Sequence, residues 1–415
     1  MADQLFEVEL TEMAHGGRAL GRRGKQVVFI PYTIPGERVL ARITEDRGRV
    51  VFAAGVTLLE ASADRVFPRC SHFGPGRCGG CHWQHIDYAA QLLLKQDVLA
   101  DQLGRIGGLD DVDVRPVIPS PAQWHYNYHM TFSAMEDGDL GLPGTLPGQF
   151  VTIDECHVAH ADLLALKESL DLEAFSGLQE LTLQAGGDGQ LMIVLKMKDD
   201  AAPELLADMP ASANLLLDGN EPANLFGDTH SRYTVNGRSF RVTAGSYFRP
   251  NVGQAGNLVK VILELLHPLP EDQILDLYGG VGLGAAFVAQ QVRLVTLVEQ
   301  YPPAATDAEE NLADLDNVDI IEGAVEDVLD SLSETYDAVL VDPPPSGMSP
   351  AAFDALLGLN IPRLIYVSSD PATLARDAKR LVQAGYTPGR VQPLDFAPQT
   401  YYIDSVMAFE RTASR

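Results

Sequence analysis

The chain has 415 residues, 46% of them hydrophobic and 21% charged, and a formal net charge of −27. This composition is typical of a soluble globular protein, and the length is too great for one hydrophobic core, so we expect two or three domains. The charge argues against an ordinary basic nucleic-acid binder. The absence of a long apolar run or an apolar N-terminal segment argues against membrane and secreted proteins and predicts a cytoplasmic location.

The first predicted domain covers residues 1–62. Short strand-like runs separated by Gly and Pro turns predict an OB-like β-barrel, a fold that often binds oligonucleotides. Residues 1–60 contain eight basic and eight acidic side chains, so all of the negative net charge lies in the rest of the chain. This balance is compatible with an RNA-facing surface and equally with an ordinary solvated one.

Residues 63–245 form the predicted central α+β domain, which contains all four cysteines of the chain. Their spacing, C-x7-C-x2-C-x74-C, is that of a metal or iron–sulfur site formed by Cys70, Cys78, Cys81 and Cys156. Spacing alone leaves a structural zinc ion and a [4Fe–4S] cluster equally open. A helix is predicted near residues 86–106, where it can pack on the domain that follows.

Residues 246–415 alternate apolar strands with helices, which predicts a parallel, doubly wound, Rossmann-like α/β domain. Gly279, Gly280 and Gly282 follow its first strand, where glycines let a nucleoside cofactor approach the backbone. Glu299 ends the second strand and can bind ribose hydroxyls. Asp342 and three prolines end the strand YDAVLV. These features favour an S-adenosylmethionine-dependent methyltransferase over a dinucleotide dehydrogenase, because a clean GxGxxG is absent.

Six segments in this order resemble motifs of the RNA (uracil-5)-methyltransferase family, over about residues 5–411. They are VVFIPYTIPGERVLARI, similar to a TRAM domain; CGGCHWQH, similar to the iron–sulfur motif; DLYGGVGLG, the cofactor loop; VDPPPSG; VSSDPATLARD, the nucleophile segment; and QTYYIDSVMAFER, the base segment. The resemblance implies methylation of a uridine at C5 in rRNA or tRNA by a monomeric enzyme.

The resemblance also implies roles for individual residues. S-adenosylmethionine would be bound by Arg249, Asp276, Tyr278, Gly280, Gly282, Glu299 and Asp342. A [4Fe–4S] cluster would be held by Cys70, Cys78, Cys81 and Cys156, with zinc as the alternative. The catalytic positions are those of Ser369, Asp404 and Asp342.

The catalytic positions depart from the family pattern. Ser369 stands where the family has a nucleophilic Cys, Asp404 where it has a Glu base, and Arg249 where it has a Gln. A hydroxyl is a much weaker nucleophile than a thiol and needs a base beside it. The alternative is therefore an RNA-binding member of the family that has lost methylation. A third interpretation is methylation of an amine, for which Asp342 and the prolines that follow give slight support.

Overall fold

An N-terminal five-stranded barrel confirms the predicted OB-like domain. The computed structural model describes residues 5–411, except 137, 172–174, 176, 200–201 and 204–209. The strands are β1 (Leu5–Met13), β2 (Ala19–Arg23), β3 (Gln26–Ile30), β4 (Arg38–Asp46) and β5 (Val50–Glu60), and they close in the order β1-β2-β3-β5-β4. Alternating side chains such as Val8, Leu10 and Val28 fill the interior, as the period of two in a strand requires.

The central part of the chain combines a long helix with a seven-stranded sheet. The helix is α1 (Tyr88–Gln102), extended by a π-helical turn, Leu103–Gly107, that ends at Gly108 with φ +69°. The sheet has the order β12-β11-β10-β9-β6-β7-β8. Its members are β6 (His129–Ala134), β7 (Leu140–Pro143), β8 (Phe150–Val151), β9 (Leu178–Ala185), β10 (Leu191–Met197), β11 (Ser212–Leu216) and β12 (Pro222–Phe226), with α2 (Ala161–Ser169) on one face.

The C-terminal part is the predicted α/β domain. A hairpin of β13 (His230–Val235) and β14 (Arg238–Thr243) packs against its helices. The remaining elements are α3 (Val252–Leu266), β15 (Gln273–Leu277), α4 (Leu283–Val288), β16 (Leu294–Glu299), α5 (Pro302–Leu312), β17 (Val318–Glu322), α6 (Val325–Leu329), β18 (Ala338–Val341), α7 (Pro350–Gly358), β19 (Arg363–Ser368), α8 (Pro371–Gln383), β20 (Tyr386–Leu394) and β21 (Asp404–Arg411).

The C-terminal sheet has the strand order β17-β16-β15-β18-β19-β21-β20. Its first five members run parallel, and β21 is antiparallel to both β19 and β20. Central strands such as β18 are buried along their whole length, because helices cover both faces of the sheet. Over the ranges that the structure describes, no helix has the length and apolarity needed to cross a membrane.

Helix α1 is built into the C-terminal domain, although it lies far away in the sequence. Its Lys95 Nζ donates to Asp395 Oδ1 at 2.6 Å, and both side chains are fully buried. Gln91 donates to the Gln399 side chain at 3.0 Å and accepts from the Gln399 backbone N–H at 2.9 Å. A buried ion pair of this kind is costly to break from one side. The segment that leads into β21 and Asp404 is therefore held in place by α1.

Candidate active site

A cavity of about 480 Å³ opens at the carboxyl ends of the parallel strands. This is the edge where open α/β sheets bind their ligands. Six of the residues to which the resemblance gives a role line it: Arg249, Tyr278, Gly280, Glu299, Asp342 and Ser369. Three others do not: Asp276 and Gly282 lie behind the glycine loop, and Asp404 is outside the lining and in contact with Arg249.

The glycine loop after β15 leaves room for a ligand against the backbone. Tyr278 and Gly280 have φ of +60° and +54°, and a Cβ on Gly280 would meet nothing within 4 Å. A Cβ on Gly279 would lie 2.5 Å from the Leu297 side chain, so only glycine fits there. The Glu299 carboxylate accepts from the Gly280 N–H at 2.8 Å and from the Tyr301 N–H at 2.7 Å, and thereby fixes the loop. This cradle fits a nucleoside cofactor with ribose hydroxyls.

Asp276 and Gly282 flank the glycine loop in the sequence but do not line the cavity. Asp276 is buried, and its burial raises the pKa of the carboxyl to about 8, with the Asp342 charge as a further cause. At neutral pH its carboxyl is therefore mostly protonated, which suits a group enclosed by protein. Gly282 has φ +87° and begins α4, and a Cβ there would lie 2.8 Å from Leu312.

Arg249 joins the two aspartates of the site. Its Nη1 donates to Asp404 Oδ1 at 2.7 Å, and its Nη2 donates to Asp342 at 2.7 and 2.9 Å. The guanidinium is buried and lies 4.9 Å from the centre of the Phe396 ring. Burial raises the pKa of Asp404 to about 6; Arg249 opposes this rise and Asp342 adds to it. Sequence reasoning placed Arg249 near the cofactor and did not predict this double ion pair.

Ser369 follows β19 and is half-buried at the cavity. Within the described part of the chain its hydroxyl makes no hydrogen bond, so no carboxylate or imidazole is yet in position to activate it. The next residue, Asp370, accepts from the Thr373 N–H at 2.7 Å and caps α8. Asp370 also lies 3.3 Å from His15 Nε2. A loop of the N-terminal barrel therefore reaches the catalytic edge, which the sequence did not reveal.

The loop that contains Asp342 is supported from α8. Asp377 is fully buried and accepts from the Tyr366 hydroxyl at 2.6 Å. Arg376 donates to Asp377 at 2.8 Å and to the Ser346 carbonyl at 2.9 Å, which ties the loop to the helix. Arg376 and Asp377 therefore position the wall formed by Pro343–Pro345.

The four cysteines face a second cavity, of about 180 Å³. Burial raises the pKa of the Cys81 thiol to about 12 and that of Cys70 to about 11. Among the described residues, no group of three or more His, Cys, Asp or Glu side chains has an arrangement that could hold a metal ion. The four cysteines are thus brought to one cavity although they are far apart in the sequence.

Comparisons with known proteins agree with this architecture. A family model described as tRNA (uracil-5-)-methyltransferase matches residues 228–412, and a TRAM domain model matches residues 3–55. An uncharacterized RNA methyltransferase of Streptomyces avermitilis is 33% identical over 98% of both chains. One from Chlorobaculum tepidum is 31% identical over 98% of this chain and 96% of its own.

Among solved structures, Pyrococcus abyssi tRNA (uracil-54, C5)-methyltransferase in complex with S-adenosyl-L-homocysteine has the same fold. The two superpose with a TM-score of 0.74, covering 97% of this chain and 100% of that one at 22% identity. The fold likeness therefore extends over the barrel, the central sheet and the α/β domain together.

Proposed function

We propose, since this chain belongs to the RNA (uracil-5)-methyltransferase family, that it methylates C5 of a uridine in rRNA or tRNA with S-adenosylmethionine as donor. One observation carries the proposal. A single cavity joins the glycine loop and Glu299, which suit a nucleoside cofactor, to Asp342 and Ser369, which face the position of a substrate base. The target base must leave its stack to enter such a cavity.

The cofactor site is assigned to the glycine loop and the strand ends beside it. Tyr278 and Gly280 would border the cofactor, and Glu299 would accept hydrogen bonds from its ribose hydroxyls. S-adenosylmethionine, when bound, supplies an electrophilic methyl group. Asp342, Pro343–Pro345 and Ser369 line the same cavity.

The substrate side would use Ser369 and Asp404. Ser369 Oγ forms a bond to C6 of uracil and loses its proton to water, which makes C5 nucleophilic. After C5 has gained the methyl group, Asp404 takes the C5 proton, the C6–O bond breaks, and Ser369 Oγ takes up a proton from water. Arg249 lies between Asp404 and the cavity, so its guanidinium must release Asp404 while it stays on Asp342.

Methylation should rise with pH through about 6. Asp404 acts as a base only when it is ionised, and its pKa is raised to about 6 by burial. We expect slow transfer near pH 5 and a plateau above pH 7, with 5-methyluridine quantified by mass spectrometry of digested RNA. Asp404→Asn should abolish the pH-dependent rise. A rate that stays constant across this range, or no 5-methyluridine from cofactor-bound protein, would contradict the assignment.

Cofactor affinity should depend on Glu299. Glu299→Ala removes the acceptor for the ribose hydroxyls and the anchor of the Gly280 N–H, so we expect the Kd for S-adenosylmethionine to rise about tenfold by calorimetry. Glu322 is a matched control, because it pairs in register with Glu299 on β17 but is exposed and outside the cavity. Glu322→Ala should bind like the parent protein. Equal weakening in both variants would rule out a specific role for Glu299.

We propose a [4Fe–4S] cluster for the cysteine cavity, with zinc as the alternative. Four thiols are the usual ligand set of such a cluster, and here the four cysteines line one cavity. Zinc would draw four sulfurs to about 2.3 Å from one point. Iron and sulfide content of anaerobically purified protein should be about four each per chain; stoichiometric zinc without sulfide would overturn this assignment.

A second candidate function is RNA binding without methylation. The observation that favours it is that, among the residues the structure describes, none makes an activating hydrogen bond to Ser369, while the Arg249 ion pair occupies Asp404. It predicts salt-sensitive RNA binding and no 5-methyluridine, even with saturating cofactor. The cytoplasmic location and the monomeric state stay predictions from the sequence.

A further inference from the structure

Three aromatic side chains, His82, Tyr401 and Tyr402, form a cluster that the reaction leaves unused; we call it the aromatic triplet. The ring centroids of His82 and Tyr401 are 4.4 Å apart, and those of Tyr401 and Tyr402 are 4.7 Å apart. His82 meets Tyr402 edge-on at 5.9 Å. Tyr402 is 49% exposed, although it lies only two residues before the buried Asp404. An aromatic ring is therefore accessible to a ligand beside the strand that carries Asp404.

Two members of the triplet, His82 and Tyr401, are held between all three parts of the molecule. The His82 N–H donates to the Gln399 carbonyl at 2.9 Å, which joins the cysteine segment to the loop before β21. Gly17 of the barrel packs so closely on Tyr401 that a Cβ there would lie 2.7 Å from its ring. The Trp83 indole N–H donates to the Gly17 carbonyl at 3.1 Å and fixes the same loop. A surface fixed in this way loses little side-chain entropy when a ligand stacks on it.

A positive charge lies near the triplet, although most of the chain is acidic. Arg18, the residue after Gly17, is exposed, and its guanidinium lies 5.5 Å from the centre of the Phe52 ring on the barrel. The charges of Arg18 and Asp370 both act on the Tyr401 hydroxyl, so the surroundings of the triplet are mixed in charge. The triplet thus combines aromatic rings with a nearby cation that can meet a phosphate.

The triplet also lies beside the entrance to the catalytic cavity. The barrel loop that packs on Tyr401 also carries His15, which contacts Asp370, the neighbour of Ser369. An RNA strand whose target uridine enters the cavity must therefore pass close to this loop. When the target base leaves its stack, the adjacent base loses a stacking partner.

We propose that the aromatic triplet stacks on the base of the unpaired nucleotide adjacent to the target uridine. The proposal rests on the proposed RNA substrate, but it concerns binding and is independent of methyl transfer. Base–aromatic stacking is tolerant of sequence and contributes to binding of single strands. Tyr402 presents the most accessible ring and should contribute most of the stacking.

Binding of a fluorescein-labelled single-stranded RNA of about 12 nucleotides, followed by anisotropy, tests the proposal. Tyr402→Ala should raise the Kd about tenfold, and Tyr402→Phe, which keeps the ring, should bind like the parent protein. Leu269→Ala is the control for loss of an exposed apolar side chain. Leu269 precedes β15 and so lies at the amino ends of the parallel strands, away from the cavity at their carboxyl ends. Leu269→Ala should leave the Kd unchanged, and cofactor affinity should be unchanged in all three variants.

Salt separates stacking from charge. The loss in Tyr402→Ala should persist at high salt, whereas a loss in Arg18→Ala should shrink as salt screens phosphate contacts. Equal Kd values for Tyr402→Ala and the parent protein, equal losses in Tyr402→Ala and Tyr402→Phe, or a Tyr402→Ala loss that vanishes at high salt would each overturn the inference. A parent protein that binds no RNA under any condition would instead contradict the proposed function.

Discussion

Arg249→Ala should destabilise the α/β domain by about 3–5 kcal/mol at pH 8, because it leaves buried charge without a partner. Most of this loss of stability comes from the unpaired charge of Asp404, which is buried. Asp342 contributes less, because it is partly exposed and water screens its charge. Without Arg249 the pKa of Asp404 rises further above 6, so the loss should be smaller at pH 5, where the carboxyl is protonated. Urea unfolding at both pH values measures this difference.

A double variant tests the origin of this loss. Arg249→Met combined with Asp404→Asn removes both charges and should recover most of the stability lost in Arg249→Met alone. Arg105→Ala is the control for an ordinary ion pair, since Arg105 and Asp101 are both exposed on the surface, and it should change stability little. A loss that is the same at pH 5 and pH 8, without recovery in the double variant, would show that Arg249 acts only by packing.

Ser369→Cys should increase methylation on the order of 100-fold, because a thiol forms the attacking anion far more readily than a hydroxyl. Combined with Asp404→Asn, it should also trap RNA covalently. The thiolate adds to C6 and C5 gains its methyl group, but the C5 proton stays in place and the S–C6 bond persists. The product is a protein band of lower mobility on a denaturing gel that disappears after RNase treatment.

The neighbouring serine provides the control for position 369. Ser368 is buried, donates to the Asp370 carbonyl at 3.0 Å and does not line the cavity. Ser368→Cys, alone or with Asp404→Asn, should therefore trap no RNA. If Ser369→Cys is as inactive as a parent protein that still binds RNA and cofactor, the second candidate function holds, because Arg249 and Asp404 then block the reaction. Activity in Ser369→Cys but not in the parent protein would place the defect at this one atom.

Residues at strand ends were the part of the site that sequence could predict. Glu299 ends one apolar strand and Asp342 follows another, and the carboxyl ends of parallel strands meet at one edge of the sheet. Ser369, which follows β19 at the same edge, was assigned from the family resemblance. Periodicity likewise predicted the barrel, α1 and the parallel strands. The antiparallel placement of β21 between β19 and β20 has no local signal, because strand order depends on packing of the whole sheet.

Contacts between distant segments were beyond sequence reasoning. Arg249 lies 93 positions before Asp342 and 155 positions before Asp404, and no spacing rule links the three residues. Asp276 was expected at the cofactor because it precedes the glycine loop, and its place behind that loop depends on the turn at Gly279 and Gly280. His15 reaches Asp370 only through the docking of one domain on another.

The burial of Lys95 against Asp395 also imposes an order on biosynthesis. The two partners are 300 positions apart, and Gln91 and Gln399 are 308 apart. At about 5–20 residues per second, a ribosome needs roughly 15–60 s after making α1 to deliver the segment that completes it. During that interval Lys95 stays hydrated and Asp404 does not yet exist. A nascent or truncated chain that ends before Asp395 would therefore lack a finished pocket, and the enzyme cannot act on RNA near its own site of synthesis until elongation has passed this point.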